Sequence, residues 1–439
     1  MSKKIIVAGA GHGGLVAAAF LAEQGYETEV FEQKKREELG YDWHDTIGRE
    51  TFEAAGMKEY DRSKVTPRRN STFYAPSMAT PVSFDRDPAR TALEIDRKDI
   101  YDFLIDNAES KGVKIHYSQC VEGPLLDKNN DVCGLIVDGK EVLADLVIDS
   151  AGMFSPVIAG LPDKYHMTDS YGENDVFHTY RAYYDLVEGV KTKNMERFNI
   201  YFRFNGIKGI AWFKIADGMA DFLIGSVNPL SNERAQEVLS EMRKVQPAIG
   251  DQLLRGGQIV DIPIKSTHTL LVGNNYAAVG DVVSMPDPMD GSGITTAVKA
   301  GAMLAETVIE IDKAGKEYTA AALWPYQVKY YKAIANRAVA TAVLKNCLLS
   351  YSQRALNFFF DKEILTANEL GGGSAVKMDK AEMIAKLKRG LRRPISLLKL
   401  KKAVDTSKEA IRTALDIPES YDAALIEDWR RKLNSYRKK

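Results

Sequence analysis

Three cysteines in 439 residues, Cys120, Cys133 and Cys347, show neither a metal-binding spacing nor a disulfide pattern. That scarcity suits a reducing compartment. The net charge is −1, so no long-range field of one sign recruits nucleic acid. No apolar run reaches the length needed to cross a bilayer. The first strand-like run opens within four residues of Met1, which leaves no room for a secretory signal. No internal repeat is found. What remains is a cytoplasmic protein with length enough for two cores and an appendage.

What is present begins at once. Ile5-Ile6-Val7-Ala8 reads as a buried parallel strand, followed by Gly9-Ala10-Gly11-His12-Gly13-Gly14, an alanine-rich helix, and Val30-Phe31-Glu32. Gly9 permits the tight turn, Gly11 a close backbone approach to a pyrophosphate, and Gly14 the packing of helix on sheet. The helix start offers unpaired N–H groups and partial positive charge to phosphates. Glu32 closes the second strand at the spacing where a carboxylate accepts hydrogen bonds from a ribose. The pattern predicts a dinucleotide site.

Further along, residues 96–110 read as an amphipathic helix, 119–143 as a hairpin turning at Asn129-Asn130, and Leu146-Val147-Ile148-Asp149 as another buried strand. Residues 175–226 then become rich in aromatics and read as an antiparallel meander, with a helix near 231–245. The dinucleotide fold resumes at Tyr276-Ala277-Ala278-Val279-Gly280-Asp281. From about Lys316 the chain reads as helical and increasingly basic, with Leu370-Gly371-Gly372-Gly373-Ser374 as a break. The expected fold is α/β: a Rossmann-like dinucleotide domain (1–160 and 263–315), an inserted antiparallel-sheet substrate domain (161–262) and a C-terminal helical region (316–439).

Two more motifs narrow the cofactor. Gly280-Asp281 follows an apolar strand, and Pro286-Asp287-Pro288-Met289-Asp290-Gly291-Ser292-Gly293-Ile294 opens a small-residue helix. An acid at the first place suits a ribityl chain; glycines at the second let backbone press against a flat ring. With Ile95-Asp96-Arg97, this set resembles the flavoprotein family of aromatic hydroxylases, geranylgeranyl reductases and flavin halogenases. The resemblance covers residues 1 to about 310. It implies FAD as cofactor, with Gly9, Gly11, Gly13, Gly14, Glu32, Arg97, Val121 (through its backbone), Gly280, Asp281, Gly291, Gly293 and Ile294 as its contacts.

Within that family the chain looks most like the geranylgeranyl reductases. Gly209-Ile210-Ala211-Trp212-Phe213 resembles their substrate-sheet segment, and Pro288-x-x-Gly291-x-Gly293-Ile294 their flavin helix start. It departs from them at Lys214, where proline is usual, and at Trp43-His44-Asp45, where a cysteine is often found. The hydroxylase branch carries an acid where Ala151 stands here, and only Trp212 remains of the halogenase Trp-x-Trp-x-Ile-Pro segment. The expected activity is therefore FAD-dependent reduction of C=C bonds in an apolar, isoprenoid-like substrate. FAD-dependent monooxygenation is the alternative, and a flavin-bound assembly protein a third reading.

His44 is the candidate proton donor, oriented by Asp42 or Asp45. Trp212 and Phe213 are the candidate substrate wall. No metal site and no second dinucleotide fingerprint appear, so the electron donor has no signature. Residues 377–402 carry ten Lys or Arg against two acids. Met383, Ile384, Leu387, Leu391, Ile395, Leu398 and Leu400 fall there at roughly helical spacing. Such a stretch suits peripheral contact with an anionic membrane; a solvated helix packed on the protein is the plainer reading.

Overall fold

In a computed structural model, which describes residues 3–370 and 380–437, the N-terminal apolar run is the centre of a six-stranded sheet. Its spatial order is Val272–Gly273, Tyr276–Ala278, Leu146–Asp149, Lys4–Ala8, Glu27–Glu32 and Lys114–Tyr117. All neighbours pair in parallel except Val272–Gly273 at the edge. Ile5, Ile6, Val7 and Ala8 are wholly buried, as a strand covered on both faces requires. The helix His12–Glu23 covers one face and is crossed by the helix Ile294–Lys313. A Cβ on Gly301 would sit 2.1 Å from the Gly13 carbonyl oxygen. Only glycine permits that crossing.

The amphipathic helix runs from Arg97 to Ser110, with the Asp96 carboxylate accepting the Lys98 amide at 3.0 Å. The expected hairpin gains a third strand, Lys140–Leu143. Residues 39–43 lead into a short strand, His44–Ile47, paired antiparallel with Leu93–Asp96.

The second sheet has seven strands, in the order Ile249–Pro263, Val176–Leu186, Met219–Ser226, Gly209–Ala216, Phe198–Phe202, Ser71–Tyr74 and Val82–Phe84. The meander is antiparallel as expected. Its edge is not: Ser71–Tyr74 comes from the segment assigned by sequence to the dinucleotide domain and pairs in parallel with Phe198–Phe202. Short strands flanked by charge carry no mark of which sheet they will join.

Side chains of this sheet alternate. Tyr180, Ala182, Phe213, Phe222 and Ile224 pack under the helix Asn232–Val245, which Ser231 caps by accepting the Arg234 amide at 3.2 Å. Phe213 is therefore core, fully buried, and not a wall open to substrate. The neighbouring positions along each strand, including Phe177, Arg181, Trp212 and Asp221, belong to the opposite face.

The C-terminal helices pack back on the molecule. Trp324 donates its indole N–H to the Pro418 carbonyl at 2.7 Å, and Trp429 packs edge-on to Tyr331 at 4.9 Å. A π-helical turn, Tyr331–Ala335, leads into the helix Asn336–Leu349. The Asn336 amide donates to the carbonyls of Tyr331 and Lys332 there. The expected break at Gly371–Ser374 and the first residues of the basic stretch lie outside the described residues, as does the Met383 side chain. No described helix is long and apolar enough to cross a membrane.

Candidate cofactor and substrate site

Gly9 turns with φ +77°, and a Cβ on Gly11 would lie 2.2 Å from Ser150 Oγ. Gly11 thus allows a close approach within the protein itself, a demand the motif does not reveal. Gly13 and Gly14 are equally confined, by Val279 and by Val7 and Ser150. Ser150 Oγ accepts the Gly14 amide at 3.2 Å, and no side chain caps the helix at Gly11. The Gly11, His12 and Gly13 amides are left to an external acceptor.

His12 lies in this turn, its ring tilted by 39° against Tyr101 with centroids 4.5 Å apart. Its Nε2 is buried and meets no hydrogen-bond partner within the protein. Burial, reinforced by the Arg97 charge, pushes the His12 pKa down to about 3, so the ring is neutral and Nε2 is left unpaired. The Glu32 carboxylate, at the end of the second strand, accepts the Ala10 and Lys34 amides at 2.9 Å each. Gln119, two residues before Val121, donates its amide to the Glu32 carbonyl. Glu32 and Val121 therefore border the same end of the sheet.

Arg97 is held by both Asp45 oxygens, with Nη2 at 3.1 Å from Oδ1. Its guanidinium lies over Tyr41 at 4.9 Å and Trp43 at 5.7 Å. Burial raises the pKa of Asp281, and the Arg97 charge offsets part of that rise. Gly280 takes φ +90° and ψ −146°, a conformation reserved for glycine. Gly291, at φ +74°, and Gly293 precede the helix that starts at Ile294. Gly48 donates its amide to Thr295 Oγ1 at 2.8 Å, which ties the segment after His44 to that helix start. Buried orphan nitrogen, confined glycines and paired acid and arginine fit a bound dinucleotide.

His44 meets a buried charged cluster on the face of the seven-stranded sheet opposite the helix Asn232–Val245. Its Nε2 is 2.8 Å from Asp217, its Nδ1 3.3 Å from the Tyr183 hydroxyl, and its carbonyl accepts from Arg181. Arg181 is itself clamped by Asp221, at 2.9 and 2.6 Å, and its guanidinium lies 5.3 Å from the Trp212 ring. Lys214, the residue in place of the usual proline, reaches Glu94 at 2.8 Å and Asp221 at 3.6 Å. Trp212 packs edge-on to Phe198 at 5.2 Å. Arg181 thus joins His44 to Trp212, but neither lines the apolar cleft beside the glycine-rich turn.

That cleft, narrow at about 60 Å³, lies between Phe177, Phe202 and Ile210 of the sheet and Pro288-Met289 of the glycine-rich turn. Its remaining wall is C-terminal: Leu348, Leu349, Leu356, Phe360 and Leu365. Two cations reach it, Arg203 and Lys345. Lys345 Nζ donates to the carbonyls of Asn174 at 2.6 Å and Ile264 at 2.5 Å, with Asp175 at 4.0 Å. Burial lowers its pKa to about 8, against the pull of Asp175 and Asp287. Asp287, on the turn itself, is pushed up to about 7 by burial and by Asp290. Sequence reasoning did not find this wall, because a lone lysine in an apolar helix reads as part of a solvated face.

Residues 7–49 match the NAD(P)-binding Rossmann-like domain, and residues 49–170 match the tryptophan halogenase family. A geranylgeranyl bacteriochlorophyll reductase-like protein from Thermoplasma acidophilum superposes with a TM-score of 0.74, covering 92% of this chain and 99% of that one at 17% identity. The two proteins share one fold. A digeranylgeranylglycerophospholipid reductase from Methanothrix thermoacetophila is 25% identical over 80% of this chain and 89% of its own length. A probable FAD-dependent monooxygenase from Pseudomonas aeruginosa shares the fold at a TM-score of 0.60, with 19% identity over 82% of this chain and 100% of that one. The fold is thus one that a reductase-like protein and a probable FAD-dependent monooxygenase share.

Proposed function

We propose that this protein is an FAD-dependent reductase that saturates C=C bonds of an apolar, isoprenoid-like substrate. The observation that carries the reading is the apolar cleft bordered by the Pro288-Met289 turn, where the FAD ring would rest against Gly291, Gly293 and Ile294. Reduced FAD supplies hydride from N5. Glu32 and Val121 would hold the adenosine end, Gly9 to Gly14 the pyrophosphate, and Gly280, Asp281 and Arg97 the middle. The apolar walls exclude water and align a chain that has no polar handle of its own.

Saturation also needs a proton on the second carbon. Lys345 lines the cleft and carries a proton at neutral pH, so we assign it the donor role; His44 holds the Arg181–Trp212 side of the sheet through Tyr183 and Asp217. Lys345→Met is expected to slow substrate-dependent flavin reoxidation by about 10²–10⁴-fold, the range for a positioned general acid. His44→Asn is expected to retain most of the rate. Because the protonated amine is the active form, the wild-type rate stays level below a pKa of about 8 and falls above it. A single-turnover pH profile that keeps its descending limb in Lys345→Met removes lysine from the role.

The activity itself is tested by anaerobic photoreduction of the flavin and a screen of apolar alkenes. Reoxidation with formation of the saturated product is expected. Substrate-stimulated oxygen uptake in place of alkene reduction would establish the monooxygenase alternative. A colourless protein that takes up no FAD defeats both.

A further inference from the structure

Five large apolar side chains stand in solvent within fifteen residues: Ile384, Leu387, Leu391, Ile395 and Leu398, at 52, 38, 70, 82 and 66% exposure. They lie on the helix Lys380–Arg389, the turn after it, and the start of the helix Pro394–Leu415. Ile384 and Leu387 share one stripe of the helix, and Leu391 follows in the turn. Gly390 draws the two helices together, since a Cβ there would lie 2.2 Å from a Leu397 methyl. Leu391 and Ile395, the most exposed of the five, flank this turn.

The surrounding charge has one sign. Residues 384–404 contain eight Lys or Arg and no Asp or Glu. Several of these are already committed: Lys386 to Glu369, Arg389 to Glu363, Lys401 to Asp405. Lys388, Arg392, Lys399 and Lys402 are exposed and form no ion pair with any described residue. Apolar tips ringed by unpaired cations complement a surface with an anionic plane above an apolar interior.

We propose that this helical hairpin docks on an anionic lipid bilayer, with Leu391 and Ile395 entering the acyl boundary and Lys388, Arg392, Lys399 and Lys402 at the headgroups. The hairpin also packs on the wall of the cleft. Leu397 shares a core with Phe360 and Leu365, and Arg393 lies 5.6 Å from the Phe358 ring. A docked hairpin therefore sets the cleft beside the bilayer, from which a prenyl chain enters. Docking rests on these residues alone; that purpose rests on the proposed reductase function.

The test is sedimentation of the FAD-loaded full chain with vesicles of phosphatidylcholine, with and without phosphatidylglycerol. Binding at least tenfold stronger to the anionic vesicles, weakened by salt, is expected. Leu391→Ser with Ile395→Ser should lose at least tenfold while reducing a short, water-soluble alkene at the wild-type rate. Equal binding to both vesicle types overturns the proposal, as does undiminished binding by the double variant. Loss of a concentration-dependent dimer in the double variant, without vesicle binding by the wild type, assigns the patch to a second copy instead. Failure of docking leaves alkene reduction intact, and failure of alkene reduction leaves docking intact.

Discussion

Asp221→Ala is expected to destabilise the protein by about 3–5 kcal/mol, the usual cost of stripping one partner from a buried charge cluster. Asp221 is wholly buried, and Arg181 and Lys214 are 5% and 3% exposed. The carboxylate takes two hydrogen bonds from Arg181, and Lys214 stands at 3.6 Å. Its removal leaves Arg181 with the His44 carbonyl, and Lys214 with Glu94 alone. Burial works against ionisation of Asp221, but the Arg181 and Lys214 charges outweigh it and hold the carboxyl below its ordinary value.

The sign of the pH dependence follows. A carboxyl with a depressed folded-state pKa contributes stability that is complete above its unfolded value, about 4, and is lost as pH falls through the folded one. Acid titration of the wild type should therefore shed stability below pH ~4, and Asp221→Asn should flatten that part of the curve. Urea midpoints at pH 7 and in acid, compared between the two proteins, give the measurement. An Asp221→Ala midpoint equal to that of the wild type would mean that the cluster holds the His44 loop without stabilising the fold.

Gly11→Val is expected to yield folded protein that does not retain FAD. The Cβ would lie 2.2 Å from Ser150 Oγ and 2.5 Å from the Ser150 carbonyl oxygen. The side chain can rotate away; the carbonyl, at the end of the strand Leu146–Asp149, is fixed by the sheet. The turn must shift, and with it the His12 ring and the amides proposed to hold the pyrophosphate. Far-UV circular dichroism should stay near wild type while flavin absorbance disappears after gel filtration. A variant that remains yellow with unchanged affinity would show that the turn tolerates displacement. Ser150→Ala, which relieves the nearer contact and also removes the Gly14 cap, is not expected to rescue it, because the carbonyl remains.

The legible parts of this molecule were those where local chemistry and tertiary role coincide. An apolar strand, a glycine turn and a closing acid can form little else, so Ile5 to Glu32 were readable directly. The same holds for the amphipathic helix read over 96–110, and for the antiparallel meander. Phe213 marks where that legibility stops. Trp212 and Phe213 are adjacent aromatics, but a strand sends them to opposite faces, and only the position of the helix Asn232–Val245 decides which face is core.

Ser71–Tyr74 looked like part of the first domain because sequence neighbours usually are neighbours in space. It joins the other sheet through pairing with Phe198–Phe202, a partner more than a hundred residues away. Lys345 is the strongest case. Its meaning arises only when two carbonyls, from Asn174 and Ile264, meet it beside an apolar cleft. By itself, then, the sequence determined the dinucleotide turn, the flavoprotein fold and the basic character of 377–402. The tertiary structure decided what closes the cleft, which cation faces it and which apolar residues stay in water, since those depend on contacts between segments that no local pattern encodes.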